Sequence, residues 1–249
     1  MVKRFYGWVP QKPDQRDRLF TPKPIGLLPP SVDLRPLCPP VYDQGQLGSC
    51  TANGIAFAYE FAREQQKLTD FMPSRLFIYY NERVIEHSVK SDAGANIRDG
   101  FKTMNKQGVC PETDWPYLID KFTQKPPKFC YSEAQKDMVL QYGTVAQQMN
   151  IIKSSLAETI PVVIGISVYE SFESDAVAKT GIVPLPDYRE TLLGGHCTAV
   201  VGYDDSHSWW IVRNSWGSGW GDKGYFYLPY SYLTNENLSS DFWNIKLVA

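Results

Sequence analysis

Apolar residues recur with two different periods along the chain, and the change of period separates a first part that favours helices from a second part that favours strands. In the first part, apolar side chains return every three or four positions. This pattern predicts helices beginning at Ser49, over residues 73–86 and over residues 96–106. Ser49 stands where an N-cap is expected, and Gly108 follows the third helix as a C-terminal stop.

After Trp115 the chain carries short runs of β-branched and aromatic residues bounded by turn-forming clusters, which is typical of strands. The four clearest runs are residues 161–168, 196–203, 209–213 and 224–228. Helices followed by strands predict an α+β protein of two packed lobes with a cleft between them. We expect the left lobe mainly at residues 45–115 and the right lobe mainly at residues 116–235.

Residues 1–30 are rich in proline and charge and follow neither period, which predicts an extended N-terminal segment ahead of a domain over residues 31–249. The first residues contain no continuous apolar stretch of the kind found in signal peptides, and no run approaches the roughly 18 apolar residues of a membrane span. We therefore expect no membrane partner, and either cytoplasmic synthesis in a reducing compartment or non-conventional release.

The composition is that of a folded domain, since 43% of the residues are hydrophobic and 21% are charged. A formal net charge of −2, with no long basic run, disfavours a nucleic-acid partner. The chain has no Cys-x-x-Cys pair and only three histidines, so neither a metal site nor another cofactor is expected. An odd count of five cysteines favours a reducing compartment, although one bridge between Cys110 and Cys130 stays open as an alternative.

Cys50 lies at the start of the first predicted helix, where the helix dipole and the free N–H groups stabilise a thiolate. A free cysteine is usually a small buried apolar residue, and we expect this of Cys38, Cys110 and Cys130. Cys50 differs because a glycine and a serine precede it directly and let a substrate carbonyl approach the backbone closely. This setting predicts that the Cys50 thiolate acts as a nucleophile.

Three polar residues complete a nucleophilic constellation around Cys50. Gln44, six residues upstream, carries an amide that can donate to a developing oxyanion together with the Cys50 backbone N–H. His196 begins an apolar strand and Asn214 follows the end of the next one. Antiparallel pairing of those strands would bring the imidazole and the carboxamide together as a base and its orienting partner.

These residues resemble those of the papain-like, or cathepsin-type, cysteine proteases over about residues 31–230. The resemblance rests on five stretches, which are residues 32–35 (Val-Asp-Leu-Arg), 44–50 (Gln-Gly through Gly-Ser-Cys), 108–117, 196–203 and 214–225. The last stretch begins Asn-Ser-Trp-Gly and is the most specific of them.

The resemblance implies a helical left lobe, an antiparallel β-barrel-like right lobe and a cleft between the lobes. It implies that Cys50 is the nucleophile and His196 the acid and base, with the remaining roles held by Gln44 (oxyanion donor), Asn214 (orienting partner) and Trp216 (shield of the His–Asn bond). It also implies a set of residues that contact the substrate, namely Gly48, Ser49, Gly94, Gly194 and Gly195.

The chain departs from the family pattern at Leu47 and Thr51, where the family has a disulfide cysteine and a tryptophan. Residues 92–95, where the partner cysteine is expected, also lack one. Both halves of that bridge are missing together, as expected of a variant adapted to a reducing environment.

The predicted function is that of a monomeric cysteine endopeptidase that cuts polypeptide substrates through a Cys50 thiolate, a His196 imidazolium and an acyl-enzyme. Endopeptidase activity is favoured because residues 44–50 carry no insertion and residues 92–108 contain no histidine. The N-terminal segment is expected either to block the cleft, as in a zymogen, or to brace the lobes. Two other classes remain open: a Cys-His acyl-transfer enzyme (deamidase, transglutaminase-like enzyme or peptide ligase) and a catalytically silent binding module.

Overall fold

Seven α-helices and seven strands form the part of the chain that the structure, a computed structural model, describes, namely residues 5–24 and 26–249. The helices are α1 (Cys50–Gln65), α2 (Arg75–Ile85), α3 (Ile97–Lys106), α4 (Lys128–Ala134), α5 (Met149–Ala157), α6 (Asp175–Thr180) and α7 (Tyr230–Thr234). The strands are β1 (Ser31–Asp33), β2 (Val139–Thr144), β3 (Val162–Tyr169), β4 (Leu192–Asp204), β5 (Trp209–Arg213), β6 (Tyr225–Pro229) and β7 (Ser239–Val248). Residues 1–4 and 25 of the expected N-terminal segment lie outside the described residues.

The central element is α1, which is buried on every side from Cys50 to Arg63. Small side chains recur along it and let its neighbours approach closely, at Ala52, Gly54, Ala56, Ala58 and Ala62. The predicted helices α1, α2 and α3 are all present, and they pack against one another. Ser49 precedes α1 as predicted, but its hydroxyl does not cap the helix, because it shares a 2.5 Å hydrogen bond with the Tyr117 hydroxyl instead.

The strands form one antiparallel sheet in the order β2-β7-β3-β4-β5-β6, with β1 paired to β4. The four predicted strands correspond to β3, β4, β5 and β6. Because the strands at the two ends of this order do not pair with each other, the sheet is open and is not closed into a barrel. The α+β fold with an antiparallel right lobe is confirmed, and the closure that the resemblance suggested is absent.

Sequence analysis missed β1, β2 and β7. The last of these lies inside the sheet, between the edge strand β2 and β3, although its first three residues are Ser239, Ser240 and Asp241. Polar residues at its start hide the strand pattern, because neither a continuous apolar run nor a regular alternation of apolar and polar residues begins there. The sheet therefore extends to Val248, beyond the expected limit of the right lobe.

An aromatic cluster joins the helical part of the fold to the sheet. The Phe101 ring on α3 stacks on Tyr142 of β2, with ring centroids 5.5 Å apart, and on Trp243 of β7, at 5.8 Å. Both Phe101 and Trp243 are buried, so this contact removes large apolar surfaces from water. It fixes α3 beside the sheet, and with it the loop that precedes α3.

All five cysteines carry free thiols, and the bridge left open between Cys110 and Cys130 is not formed, although both side chains are buried. No helix among the described residues is long and apolar enough to cross a membrane.

Gly108, predicted to stop α3, adopts a left-handed conformation with φ +73°, and its N–H donates to the Met104 carbonyl at 3.2 Å. A Cβ at this position would lie 1.7 Å from the Ala134 carbonyl oxygen. We expect Gly108→Ala to lower the free energy of unfolding by at least about 2 kcal/mol, since the left-handed backbone and the overlap both oppose a side chain. Urea denaturation measures this loss.

The matched control is Gly219→Ala, because no heavy atom lies within 4 Å of the added Cβ at that position. Equal urea midpoints for the two variants would contradict the role given to Gly108.

Candidate active site

The Cys50 side chain lies at the N-terminus of α1, fully buried against β4. One turn further along the helix, Gly54 faces β4 so closely that an added Cβ would come within 3.0 Å of the Cys197 sulfur. Backbone hydrogen bonds from Cys197 and Gly7 reach the Cys50 sulfur. Because Cys197 directly follows His196 in β4, this packing places α1, which begins at the predicted nucleophile, against the strand that carries the predicted base.

His196 and Asn214 meet across the neighbouring strands β4 and β5. Ala199 pairs with Arg213, the last residue of β5, so the next residue, Asn214, comes opposite Thr198, whose side chain lies on the same face of β4 as that of His196. The His196 Nε2–H donates to Asn214 Oδ1 at 2.8 Å, and Trp216 stacks on the imidazole with ring centroids 4.9 Å apart. This bond fixes the ring, as expected of an orienting partner for a catalytic imidazole.

Gln44 is fully buried, and three hydrogen bonds fix its amide. Its Nε2 donates to the Leu47 carbonyl at 2.9 Å and to the Phe5 carbonyl at 3.1 Å, while its Oε1 accepts from the Ser215 hydroxyl at 2.6 Å. Sequence analysis missed Ser215 as an orienting residue, although it stands inside the Asn-Ser-Trp-Gly motif. The geometry presents one N–H of Gln44 to a carbonyl oxygen, as an oxyanion donor requires.

The glycines predicted to contact a substrate contact the N-terminal part of this chain. The close approaches join Gly7 to Gly48 and Gly94, Tyr6 to Gly194, and Trp8 to Gly195. An added Cβ on Gly7 would lie 1.7 Å from the Gly48 carbonyl oxygen. Ser49, the fifth residue of the predicted set, is fully buried, and its hydroxyl is turned to Tyr117.

Residues 5–11, which we call the cleft segment, run through this site and form one isolated β-bridge, at Trp8. The Ala95 N–H donates to the Gly7 carbonyl at 2.7 Å, and the Val9 N–H donates back to the Ala95 carbonyl at 3.0 Å, in a parallel bridge. On the other side, the Trp8 N–H donates to the Gly195 carbonyl at 2.9 Å. The cleft segment is therefore hydrogen-bonded to backbone groups on both sides of the cleft, at Ala95 and at Gly195.

Residues 12–24, which we call the anchor segment, are held outside the cleft. Arg98 of α3 pairs with Asp17 at 2.6 Å, and both side chains are largely buried. The Phe20 N–H donates to the Thr144 carbonyl at 2.7 Å, and the Phe20 ring is buried. The anchor segment thus packs on α3 and β2, away from Cys50.

Burial raises the pKa of the Cys50 thiol to about 12, and the backbone hydrogen bonds from Cys197 and Gly7 act in the opposite direction. With the cleft segment in place, the sulfur is therefore a neutral thiol at neutral pH. The thiolate of the predicted ion pair requires a more open site, in which water and the imidazolium can stabilise the charge.

Thr51, which stands where the family has tryptophan, donates a 2.6 Å hydrogen bond to the Glu82 carboxyl group. Both side chains are buried, and burial raises the pKa of Glu82 well above its usual range. The threonine thus makes a polar contact at the position directly after Cys50, where the family's tryptophan would make an aromatic one. Sequence analysis named Thr51 as a departure but not the acid that it meets.

One group of acidic side chains among the described residues is close enough to share a metal ion, formed by Glu60, Glu64 and Asp70. Tyr42 donates to the Glu60 carboxyl group, and burial raises the pKa of Glu60 to about 8. A carboxyl group that holds its proton at neutral pH is a poor metal ligand. Glu60 also lies ten residues along α1 from Cys50, about 15 Å by the helix rise, so the cluster is separate from the site.

Comparison with known proteins identifies related sequences and structures. A model of the papain family of cysteine proteases matches residues 28–240. The uncharacterized peptidase C1-like protein L477 of Acanthamoeba polyphaga mimivirus is 44% identical over the whole chain, which spans 88% of that protein. Cysteine proteinase 3 of Entamoeba histolytica is 28% identical over 80% of the chain and 62% of its own length.

Among solved structures, that of xylellain, a cysteine protease from Xylella fastidiosa, is 44% identical and superimposes with a TM-score of 0.93. The match covers 100% of both chains, so the similarity includes the N-terminal segment as well as the two lobes.

We expect iodoacetamide to alkylate Cys50 of the full chain slowly, because the thiol is buried and its pKa is raised to about 12. The thiolate fraction rises with pH until the pKa is passed, so the rate should still be rising at pH 10. Mass spectrometry of the Cys50 peptide measures this rate, and the alkylation rate of glutathione serves as the reference for a fully exposed thiol. A fast reaction whose rate is already constant at pH 7 would contradict the prediction, because it would require a thiolate in the covered site.

Proposed function

The chain belongs to the papain family of cysteine proteases, and on that premise we propose that Cys50 and His196 are the pair with which it cuts internal peptide bonds of polypeptide substrates. Asn214 orients the imidazole, and Trp216 covers the bond between them. Gln44 and the Cys50 backbone N–H donate to the oxyanion.

The proposed reaction begins when the cleft segment leaves and His196 takes the thiol proton. The Cys50 thiolate attacks the peptide carbonyl, and the carbonyl oxygen becomes an oxyanion held by Gln44. His196 then protonates the leaving amine as the C–N bond breaks, which leaves an acyl-enzyme. Water, deprotonated by the same imidazole, attacks the thioester, and the acid product leaves as the thiol is restored.

The observation that carries this proposal is the 3.1 Å hydrogen bond from Gln44 Nε2 to the Phe5 carbonyl oxygen, beside the buried Cys50. A peptide carbonyl already occupies the donor that a substrate carbonyl would use. The family match and the relatives support hydrolysis of peptide bonds, and no observation favours the deamidase, transglutaminase-like, ligase or silent-binding alternatives.

We further propose that residues 1–30 form a built-in inhibitor of the peptidase domain over residues 31–249. The support comes from the cleft segment, whose backbone groups occupy Gln44, Gly195 and Ala95 at once. The alternative role, bracing the lobes, belongs to the anchor segment, which packs on α3 and β2. The two expected roles of the N-terminal segment are thus divided between its two parts.

We expect Gly7→Ala to raise kcat/KM for a peptide substrate at least about tenfold, since a loss of about 1.4 kcal/mol of cleft-segment binding corresponds to that factor. The added Cβ would lie 1.7 Å from the Gly48 carbonyl oxygen and 2.9 Å from its Cα, so the segment must move away. The matched control is Gly26→Ala in the same N-terminal segment, where nothing lies within 4 Å of the added Cβ. Unchanged kinetics in both variants would reject the inhibitor role.

In the Gly7→Ala chain, we expect Cys50→Ala to reduce kcat by about 10⁶-fold, as loss of a nucleophile does in serine proteases. Cys38→Ala, which removes a partly exposed thiol, is the control. Product analysis by mass spectrometry should show hydrolysed peptides only. Retained turnover after Cys50→Ala, or a deamidated or ligated product, would contradict the assignment.

A further inference from the structure

The peptide group between Leu47 and Gly48 is hydrogen-bonded on both of its sides. Its carbonyl oxygen accepts from Gln44 Nε2 at 2.9 Å, and its N–H donates to the two carboxylate oxygens of Asp92 at 3.0 and 3.1 Å. The C=O and the N–H of a trans peptide group point in opposite directions from one rigid plane. A rotation of this plane would therefore disturb the bond to Gln44 and the bond to Asp92 together.

The Leu47 carbonyl fixes the direction in which Gln44 can donate to an oxyanion. A side-chain amide carries two N–H donors on one planar nitrogen. In Gln44 one of them is used by Leu47, and the other reaches the Phe5 carbonyl oxygen at 3.1 Å, in the place that the proposed function gives to the oxyanion. Because the two N–H bonds lie at a fixed angle, the position of the Leu47 oxygen sets the aim of the second donor.

Asp92 is held in place from the side of α2. The buried Tyr79 hydroxyl donates to Asp92 Oδ1, and it accepts from the Gly94 N–H at 3.3 Å. Burial raises the pKa of Tyr79 and the contact with Asp92 raises it further, so the hydroxyl keeps the proton that it donates. Asp92 itself is exposed, but this contact fixes its carboxylate against Gly48, where an added Cβ would lie 3.0 Å from Oδ1.

The two stretches that Asp92 joins are those that the family links with a disulfide. Leu47 stands at one missing cysteine, and Asp92 begins residues 92–95, where the other is expected. All cysteines here are free, so hydrogen bonds connect the two stretches instead. A carboxylate is a stronger acceptor than a neutral oxygen, and it polarises the peptide group so that the Leu47 oxygen also accepts more strongly.

We propose that Asp92 is a positioning residue, which aims the Gln44 amide at the oxyanion through the Leu47–Gly48 peptide group. The inference rests on the proposed function and adds to it a residue that acts through Gln44. Ser215 holds the opposite end of the same amide at 2.6 Å, so loss of Asp92 misdirects the donor but does not release it. The effect belongs to the transition state, in which the negative charge develops, rather than to substrate binding.

The test measures kcat and KM for a peptide substrate, with the Gly7→Ala chain as the parent. This parent is needed because Gly7 lies against Gly48 and Gly94, so a change at Asp92 in the unmodified chain would also alter binding of the cleft segment. We expect Asp92→Ala to lower kcat at least about tenfold and to change KM by less than about twofold, as for an interaction made only in the transition state.

A double-mutant cycle with Gln44 distinguishes positioning from a general weakening of the cleft. Gln44→Ala should lower kcat by about 10²- to 10³-fold, as loss of an oxyanion donor does. In the Gln44→Ala chain, Asp92→Ala should cause no further loss, because the donor that it aims is absent. Asp92→Asn, which keeps one acceptor oxygen but loses the charge, should give an intermediate kcat, and it carries the same cycle if urea denaturation shows that Asp92→Ala does not fold.

Asp120→Ala is the control, since it removes the same charge from another exposed side chain, and it should leave kcat and KM unchanged. A kcat of Asp92→Ala equal to that of the control, a loss confined to KM, or an undiminished loss in the Gln44→Ala chain would overturn the inference and leave the proposed function standing. No turnover of any peptide by the Gly7→Ala chain, together with an unreactive Cys50, would overturn the proposed function and the inference with it.

Discussion

The packing of α1 on β4 is the contact on which the rest of the site depends. Gly54 leaves room for the Cys197 sulfur, so the helix that begins at Cys50 packs closely on the strand that carries His196. The helix brings a buried N-terminus with its positive dipole, and the sheet brings the imidazole already oriented by Asn214. A bulkier residue at position 54 would push the helix and the strand apart at a buried sulfur.

The elements that make this contact could be predicted from the sequence because each of them is encoded locally. Three helices, four strands and the residues Gln44, Cys50, His196 and Asn214 each carry a pattern within a few positions, and the motif beginning at Asn214 links the last two strands. The structure brings Asn214 to His196 and presents the Gln44 amide to a carbonyl oxygen as these patterns predicted. Ser49 was misjudged as a cap because its nearest partner, Tyr117, is 68 residues away in the chain and has no local signal.

What the sequence did not reveal depends on contacts between distant residues. Asp92 stands in a polar stretch that resembles a loop, and only the fold brings its carboxylate to the Gly48 N–H, 44 positions away. Ser215 gains its role from Gln44, which is 171 positions away. The cleft segment has no periodic pattern at all, because its fit comes from backbone hydrogen bonds and from glycines that allow close approach. Such features carry no residue-type signal until the fold is known.

The division of the N-terminal segment into two parts has an energetic consequence. The anchor segment is tied by a shielded ion pair and a buried ring, so binding of the cleft segment is an intramolecular step with an effective concentration on the order of millimolar. Even modest affinity then keeps the cleft filled, while a tight substrate can still compete. Pro10 limits the freedom of the displaced cleft segment and reduces the entropy lost on return. The proposed inhibitor therefore needs no large interface: a few backbone hydrogen bonds and the Trp8 indole packed on two glycines are enough, provided that the anchor segment stays bound.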